Sequence, residues 1–512
     1  MAEKPNILLI TADQQRGDCY GFRGRKVHTP HLDRLAAAGT HFENCLNANS
    51  VCQPTRSSML TGMLPLTHGV IDNGIDLDPK IGEQGFAGQL AKAGYHTAFL
   101  GKAHFSTKST FAPTGTPECQ SSSSDFDEHW FGPYMGFEYA ELIVLGHWHR
   151  DRPLSKPPAG GHFERWFYEN AGEEGLELWA AETRPGTGAA QTWNSALPVA
   201  WHNSTWLGSR TVDFLKSRPK DRPFCAWVSF PDPHHPFDCP EPWSRLHDPK
   251  DVDLPKHGEK DLDRRPWWHQ ASLESEPELA DPVMKQFRAK GSRAPDQTEA
   301  QLREMTANYY GMISLIDHNV GRIMTALEDL GLAENTYVFY TADHGDLLGD
   351  HGLYLKGPTP YESLLNVGMI ARGPNVKANN TEKTLISTMD LAATFCDIGG
   401  AALPGEAQSQ SFAPLLQGEA APRETLYNEW NVNPSRCGVP LELRTVRTDT
   451  HKLTLELVSG AGEMYDLEHD PDEMENVFEK SSHASVRREL EKRIEGRPGP
   501  VREKFDEPVG MA

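Results

Sequence analysis

Cys52-Gln53-Pro54-Thr55-Arg56, continued by Ser57-Ser58-Met59-Leu60-Thr61-Gly62, is the stretch on which the reading of this chain turns. Five-residue patterns such as C-x-P-x-R recur by chance. The extension through Leu60-Thr61-Gly62 makes chance a poor account. A thiol at Cys52 is by itself an ordinary nucleophile. A helix starting near it would aim unpaired backbone N–H groups at an anion.

The remainder of the chain narrows what such a group can act on. Its 512 residues suggest one large domain and a smaller one. A hydrophobic fraction of 38% with 24% charged residues fits a globular protein. No apolar run approaches the ~18–20 residues of a membrane span. Asn6-Ile7-Leu8-Leu9-Ile10-Thr11 is too short for a secretory segment and reads as a buried first strand, so a cytoplasmic protein is expected. Cysteines 19, 45, 52, 119, 225, 239, 396 and 437 are scattered without a C-x-x-C pair, which suits a reducing compartment and argues against a zinc framework. The net charge of −22, from 50 Lys and Arg against 72 Asp and Glu, disfavours nucleic acid as a partner. It also means that an anionic substrate would need a metal and local Lys, Arg and His to draw it in.

Strand-like apolar runs alternate with helical patterns. Thr29 to Gly39 has an N-cap Thr, Pro30 at the first helical position and a terminating Gly. Glu83 to Lys92 repeats the logic, with Phe86 and Leu90 on one face and Gly94 as the stop. Strands are expected at 95–100, 224–229, 337–341 and 367–371. Continuous apolar runs of this kind belong to strands covered on both faces, as in parallel sheets. Glu299 to Leu330 is the longest helical pattern. The alternation argues an α/β sandwich. Segments 106–200 and 240–298 are rich in Ser, Pro, Gly, Trp and acidic residues. They are expected to rim the active site and set substrate choice, with structural padding or oligomer contacts as the competing account. From about Tyr427 the pattern changes to hairpin-like stretches followed by a charged terminal helix.

Taken with three further motifs, the Cys52 stretch resembles the C-x-P-x-R…LTG signature of the type I sulfatases, in the alkaline phosphatase superfamily. In that family the cysteine is oxidised to formylglycine, and the hydrated aldehyde attacks the sulfur or phosphorus of a bound ester. The resemblance runs from residue 6 to about 480 and leaves the long insertions unmatched. It implies an alkaline-phosphatase-like α/β sandwich with a large, mostly parallel central sheet and a smaller C-terminal α+β subdomain. The expected division is a catalytic domain over 1–425, with insertions at about 106–200 and 240–298, and a subdomain over 426–512.

Thr11-Ala12-Asp13-Gln14-Gln15, at the end of the first strand, and Thr341-Ala342-Asp343-His344-Gly345-Asp346, after a later one, resemble the two metal motifs of the family. They imply one divalent cation held by Asp13, Gln14, Cys52, Asp343 and His344. Many relatives carry Asp and Asn where this chain has Gln14 and His344. The exchange removes formal charge and adds a nitrogen donor, which keeps Ca²⁺ and brings in Mn²⁺. It also resembles the choline-sulfatase and phosphonate-monoester-hydrolase branches more than the double-aspartate arylsulfatases. Asp346 and Asp350 are read as caps of a helix following the second motif.

Gly101-Lys102-Ala103-His104 resembles the family's Gly-Lys-x-His, and Pro233-His234-His235-Pro236 its Pro-His-x-Pro. The resemblance implies that Lys102 binds sulfate oxygen and the nucleophile, and that His104 removes the second proton of the hydrated aldehyde as sulfate leaves. His234, with His235 as fallback, contacts the bridging oxygen, and Lys356 stabilises charge on the leaving oxygen. Arg56 bonds the formylglycine oxygens. The expected activity is metal-dependent hydrolysis of small sulfate esters, with a formylglycine-generating enzyme as maturation partner. The competing readings are a phosphonate monoester hydrolase or phosphodiesterase using the same residues, and an anion-binding scaffold whose Cys52 stays unmodified. The acidic, Trp-rich insertions are also compatible with a homo-oligomer.

Overall fold

The computed structural model describes residues 4–144 and 161–511, so the part of the 106–200 segment between 145 and 160 lies outside the described residues. Strands β1 (Asn6–Ala12), β2 (Thr40–Phe42), β3 (His96–Gly101), β4 (Tyr139–Leu142), β5 (Phe224–Phe230), β6 (Thr336–Ala342), β7 (Met369–Arg372) and β8 (Asn380–Glu382) form one sheet in the order β8-β2-β7-β6-β1-β5-β3-β4. Ile7, Leu8, Leu9 and Ile10 are fully buried on both faces, which accounts for the unbroken apolar run of β1.

Helices cover the two faces. Helix α1 (Pro30–Ala37) has its proline at the first position. Helix α2 (Cys52–Thr61) is buried at every residue. Helices α3 (Asn203–Ser217) and α5 (Glu299–Asp329) pack together. At their contact a Cβ on Gly208 would lie 2.3 Å from Asn319 Oδ1, so the close approach requires glycine. Helix α5 starts at a capping box in which Thr298 and Gln301 satisfy each other's backbone. Helix α4 (Pro282–Gly291) lies in the second long insertion.

Two expectations change in detail. The sheet is parallel except on both sides of β7, which runs antiparallel to β6 and β2. An apolar run reports burial on two faces and carries no direction. The helix expected from Glu83 begins only at Phe86, after a separate turn over Pro79–Gly82. Gly85 marks the break, where a Cβ would lie 2.5 Å from the carbonyl of Leu60.

Strands β9 (Leu426–Val432), β10 (Leu441–Arg447), β11 (His451–Glu456) and β12 (Gly462–Asp466) form a second, antiparallel sheet. Helix α6 (Ala484–Glu495) packs on it through Leu490, beside Val446, Leu453 and Met464. Trp430 and Leu443 of this sheet bury Val51, the residue before Cys52, together with Trp268. The C-terminal sheet therefore backs the start of α2.

Parallel register decides where chemistry gathers. Ala12 pairs with Phe230 on one side and Ala342 on the other, and Gly101 pairs with Ser229. Residues following β1, β3, β5 and β6 consequently emerge together at the carboxyl edge of the sheet. Trp227 is central to that arrangement: its indole donates to Thr11 Oγ1 at 2.8 Å and packs against Phe86, Phe99 and Phe105. We expect Trp227→Ala to cost ~3–5 kcal/mol of stability, read as a shift of the denaturant midpoint; a loss below ~1 kcal/mol would contradict this role in the core.

Candidate active site

Asp13 and Asp343 leave neighbouring parallel strands side by side, and Arg56 separates their charges. Its Nε donates to Asp343 Oδ2 at 2.8 Å and its Nη2 lies 3.2 Å from Asp13 Oδ2. Nη1 donates to the carbonyl of Lys102 and to Ser229 Oγ, both at 2.7 Å. A fully buried guanidinium thus ties α2 to the ends of four strands. Lys102 Nζ lies 2.5 Å from Asp13 Oδ2. Burial alone would raise the Asp13 pKa, but Lys102, Arg56, Lys356 and His344 hold it well below the usual carboxylate value.

Cys52 is the first residue of α2, and its sulfur stands where a formylglycine oxygen would stand. Sγ is 3.0 Å from His344 Nε2, 3.6 Å from Asp13 Oδ1 and 3.1 Å from Lys356 Nζ. Burial and Asp13 push the thiol pKa up, while Lys356, Lys102 and His344 outweigh them and bring it down to about 7. His344 Nδ1 faces the carbonyl of Gly345 at 2.9 Å, which accepts only, so the hydrogen sits on Nδ1 and the Nε2 lone pair faces the cluster.

These groups suit a cation. Ligand atoms of Asp13, Cys52, Asp343 and His344 all lie within 4.8 Å of one another. Gln14 supplies a further observation: its Nε2 donates to Asp346 Oδ2 at 2.5 Å and to His235 Nδ1 at 3.1 Å, which leaves its buried Oε1 with no partner. Two carboxylates, an amide oxygen and an imidazole nitrogen form a donor set for a divalent ion. Asp346 anchors Gln14 and accepts from the N–H of Leu348, and Asp350 accepts from Arg16 Nη1 at 2.7 Å. Neither caps a helix. A tight turn follows Asp343, with a single 3₁₀ turn at Asp350–Gly352, because Gly349 takes a left-handed conformation there.

The two adjacent histidines diverge. His234 Nε2 accepts from Lys356 Nζ at 2.8 Å and lines the cleft. His235 Nε2 donates to the carbonyl of Gly291 at 3.1 Å while its Nδ1 accepts from Gln14. His104 also lines the cleft, with neither ring nitrogen hydrogen-bonded. Burial, Lys102, Lys108 and Arg56 hold its pKa well below 6.5, so the ring is a neutral base at neutral pH.

Two contributors, Glu118 and Lys108, escaped the reading of the sequence, and Asp346 was read there as a helix cap. Glu118 accepts from the N–H groups of His104, Phe105 and Ser106 and from the Tyr134 hydroxyl, and so fixes the turn that presents His104. Asp346 orients Gln14. Lys108 lines the cleft, its pKa lowered to about 8 by burial and Lys102. Glu118 and Lys108 are lone charged residues with no motif around them, so no local signal marked them.

A nucleophile held among cations, beside a donor set for a divalent ion, is equipment for hydrolysing anionic esters. A model of the sulfatase family matches residues 5–401, and a model of the C-terminal region of N-sulphoglucosamine sulphohydrolase matches 349–498. The chain belongs to the sulfatase family. It is 27% identical to an arylsulfatase of Clostridium perfringens over 96% of this chain and 95% of that one. It is 25% identical to a choline-sulfatase of Rhizobium meliloti over 93% and 83%. The fold is shared with a phosphonate monoester hydrolase of Silicibacter pomeroyi, with a TM-score of 0.76 and 22% identity across 96% of this chain and 95% of that one.

A base stays active in acid until the pH falls below its folded pKa. We therefore expect no His104 limb in the kcat profile between about pH 6 and 8. An acid limb near 6.5 that disappears in His104→Ala would refute this. Glu118→Gln exchanges one acceptor oxygen for a donor; we expect kcat to fall ~10-fold with ~1–3 kcal/mol of lost stability, measured side by side.

Proposed function

We propose that this protein hydrolyses sulfate monoesters through a formylglycine made from Cys52. The observation that carries the proposal is the Cys52 sulfur itself, at the start of a buried helix, 3.0 Å from His344 and 3.1 Å from Lys356. Oxidation of Cys52 by a formylglycine-generating enzyme supplies a hydrated aldehyde as nucleophile. A divalent ion, Ca²⁺ or Mn²⁺, held by Asp13, Gln14, Cys52, Asp343 and His344, supplies Lewis acidity toward an ester oxygen.

The chain's own side chains do the rest. Lys102 and Lys356 neutralise sulfate oxygens at the mouth of a buried cluster. Arg56 pairs with both aspartates and holds the nucleophile's helix against the strand ends. His234, polarised by Lys356, faces the leaving oxygen. His104, neutral and without a partner, takes the proton released as sulfate departs. Residues 1–425 form the catalytic unit in this reading and 426–512 the subdomain that backs α2.

A second reading has support of its own. The phosphonate monoester hydrolase neighbour shares the fold across 96% of this chain, and a phosphonate monoester carries one negative charge, as a sulfate monoester does. The cationic cleft does not discriminate between them. Protein co-produced with a formylglycine-generating enzyme, assayed on 4-nitrophenyl sulfate and phenyl 4-nitrophenyl phosphonate with Ca²⁺ or Mn²⁺, separates the two. We expect the sulfate to be preferred and Cys52→Ala to lose at least ~10³-fold in kcat/KM. Preference for the phosphonate moves the substrate and keeps the residues. Activity surviving in Cys52→Ala refutes the mechanism. Mass spectrometry of the Cys52 peptide checks the modification, since conversion removes sulfur and two hydrogens and adds one oxygen. Chelation of the ion should abolish turnover, with recovery on adding back one of the two metals.

A further inference from the structure

The cleft above Cys52 is lined by Lys102, His104, His234 and Lys356 and, beyond them, by residues of the second insertion. Two arginines that the catalytic scheme does not use also line it. Arg288 comes from α4, in the second insertion, and Arg436 from the short helical turn Pro434–Cys437 between β9 and β10. They are 6% and 7% exposed. Arg288 Nε and Arg436 Nη2 are both buried without a hydrogen-bond partner.

Among the described residues one carboxylate pairs with them. Asp72 accepts from Arg436 Nε at 2.7 Å, and it also accepts from the N–H groups of Asn73 and Asn433. Arg288 has a single long contact, 3.4 Å to Ser292 Oγ, and forms no ion pair among the described residues. Two buried guanidiniums therefore face one anion. Burying an unpaired charge is unfavourable unless something else supplies the counter-charge. A guanidinium presents N–H groups in a planar fork that matches a carboxylate or sulfate.

Resting on the ester-hydrolase reading above, we infer that Arg288 and Arg436 form a subsite for a second anionic group, a carboxylate or second sulfate, on the alcohol side of the substrate. The enzyme then acts on doubly anionic sulfate esters. Burial and the charge of Arg436 press the Arg288 pKa down to about 9, a strain that a bound anion relieves. Gly291, the last residue of α4, accepts from His235 and so links this wall to the turn that carries His234. In a chain of net charge −22 the unneutralised guanidinium also gives the cleft a local attraction that the surface lacks.

The test is calorimetric titration of metal-loaded Cys52→Ala, which binds without turnover, with phenyl sulfates bearing a para carboxylate, para sulfate or para carboxamide. We expect one of the dianions to bind about tenfold or more tighter than the isosteric carboxamide. Adding Arg288→Gln should abolish that preference and leave carboxamide binding within about threefold. Because Arg288 lacks a partner carboxylate, Arg288→Gln should not lower Tm, and Arg288→Lys should restore part of the preference. Whichever dianion wins identifies the group. Equal binding of all three esters, or a preference that survives Arg288→Gln, overturns the subsite. Turnover of the three esters by the modified wild type tests the hydrolase reading separately. A binding preference without turnover defeats that reading and leaves the subsite standing, whereas turnover without preference does the reverse.

Discussion

Arg56 bridging Asp13 and Asp343 is the constraint from which the rest of the site follows. Two buried carboxylates that emerge from adjacent parallel strands repel each other unless a cation stands between them. Arg56 is that cation, fully buried, and its Nη1 donates to the carbonyl of Lys102 and the hydroxyl of Ser229. The same side chain thereby sets the height of α2 over the strand ends. Cys52, one turn earlier on that helix, has its position determined by an ion pair it does not belong to.

Charge is handled in shells. The innermost groups, Asp13 and Asp343, are balanced by Arg56 and Lys102. Cys52 and Lys356 face each other across the next shell, with His344 and His234 on Lys356. Outside these the cleft is left cationic. An acidic protein with a cationic cleft repels anions over most of its surface and admits them at one place, which favours selectivity over broad electrostatic capture.

The two long insertions divide their tasks. The first contributes Glu118 and Tyr134, which brace the 104–106 turn. The second contributes Gly291, which holds His235, and Arg288 on the cleft wall. Both were expected to rim the site; Lys108 and Val144 of the first and Phe287, Arg288, Gly291 and Ser292 of the second line the cleft. The C-terminal sheet adds Arg436 from one of its connections and buries Val51 beside Cys52. The two insertions and a connection of the C-terminal sheet thus support side chains that the motifs supply directly.

How much was legible follows from range. Cys52, Arg56, Lys102, His104, Asp13 and Asp343 stand in short motifs at strand and helix ends, where residue type and spacing carry the signal locally. The α/β class was legible too, because β1, β5 and β6 are unbroken apolar runs between helical patterns. The direction of β7, the turn that replaced a helix after Asp343, and the parts played by Glu118, Asp346, Arg288 and Arg436 were not. Asp346 depends on Gln14 and Arg436 on Asp72, both hundreds of residues away, and Glu118 on the fold that brings Tyr134 and the 104–106 backbone to it. The sequence by itself determined which residues can do chemistry, since reactivity and backbone preference are local properties. Only the tertiary structure decided which of them meet and which charges are left without an answer, since burial and pairing depend on distances that chain order does not contain.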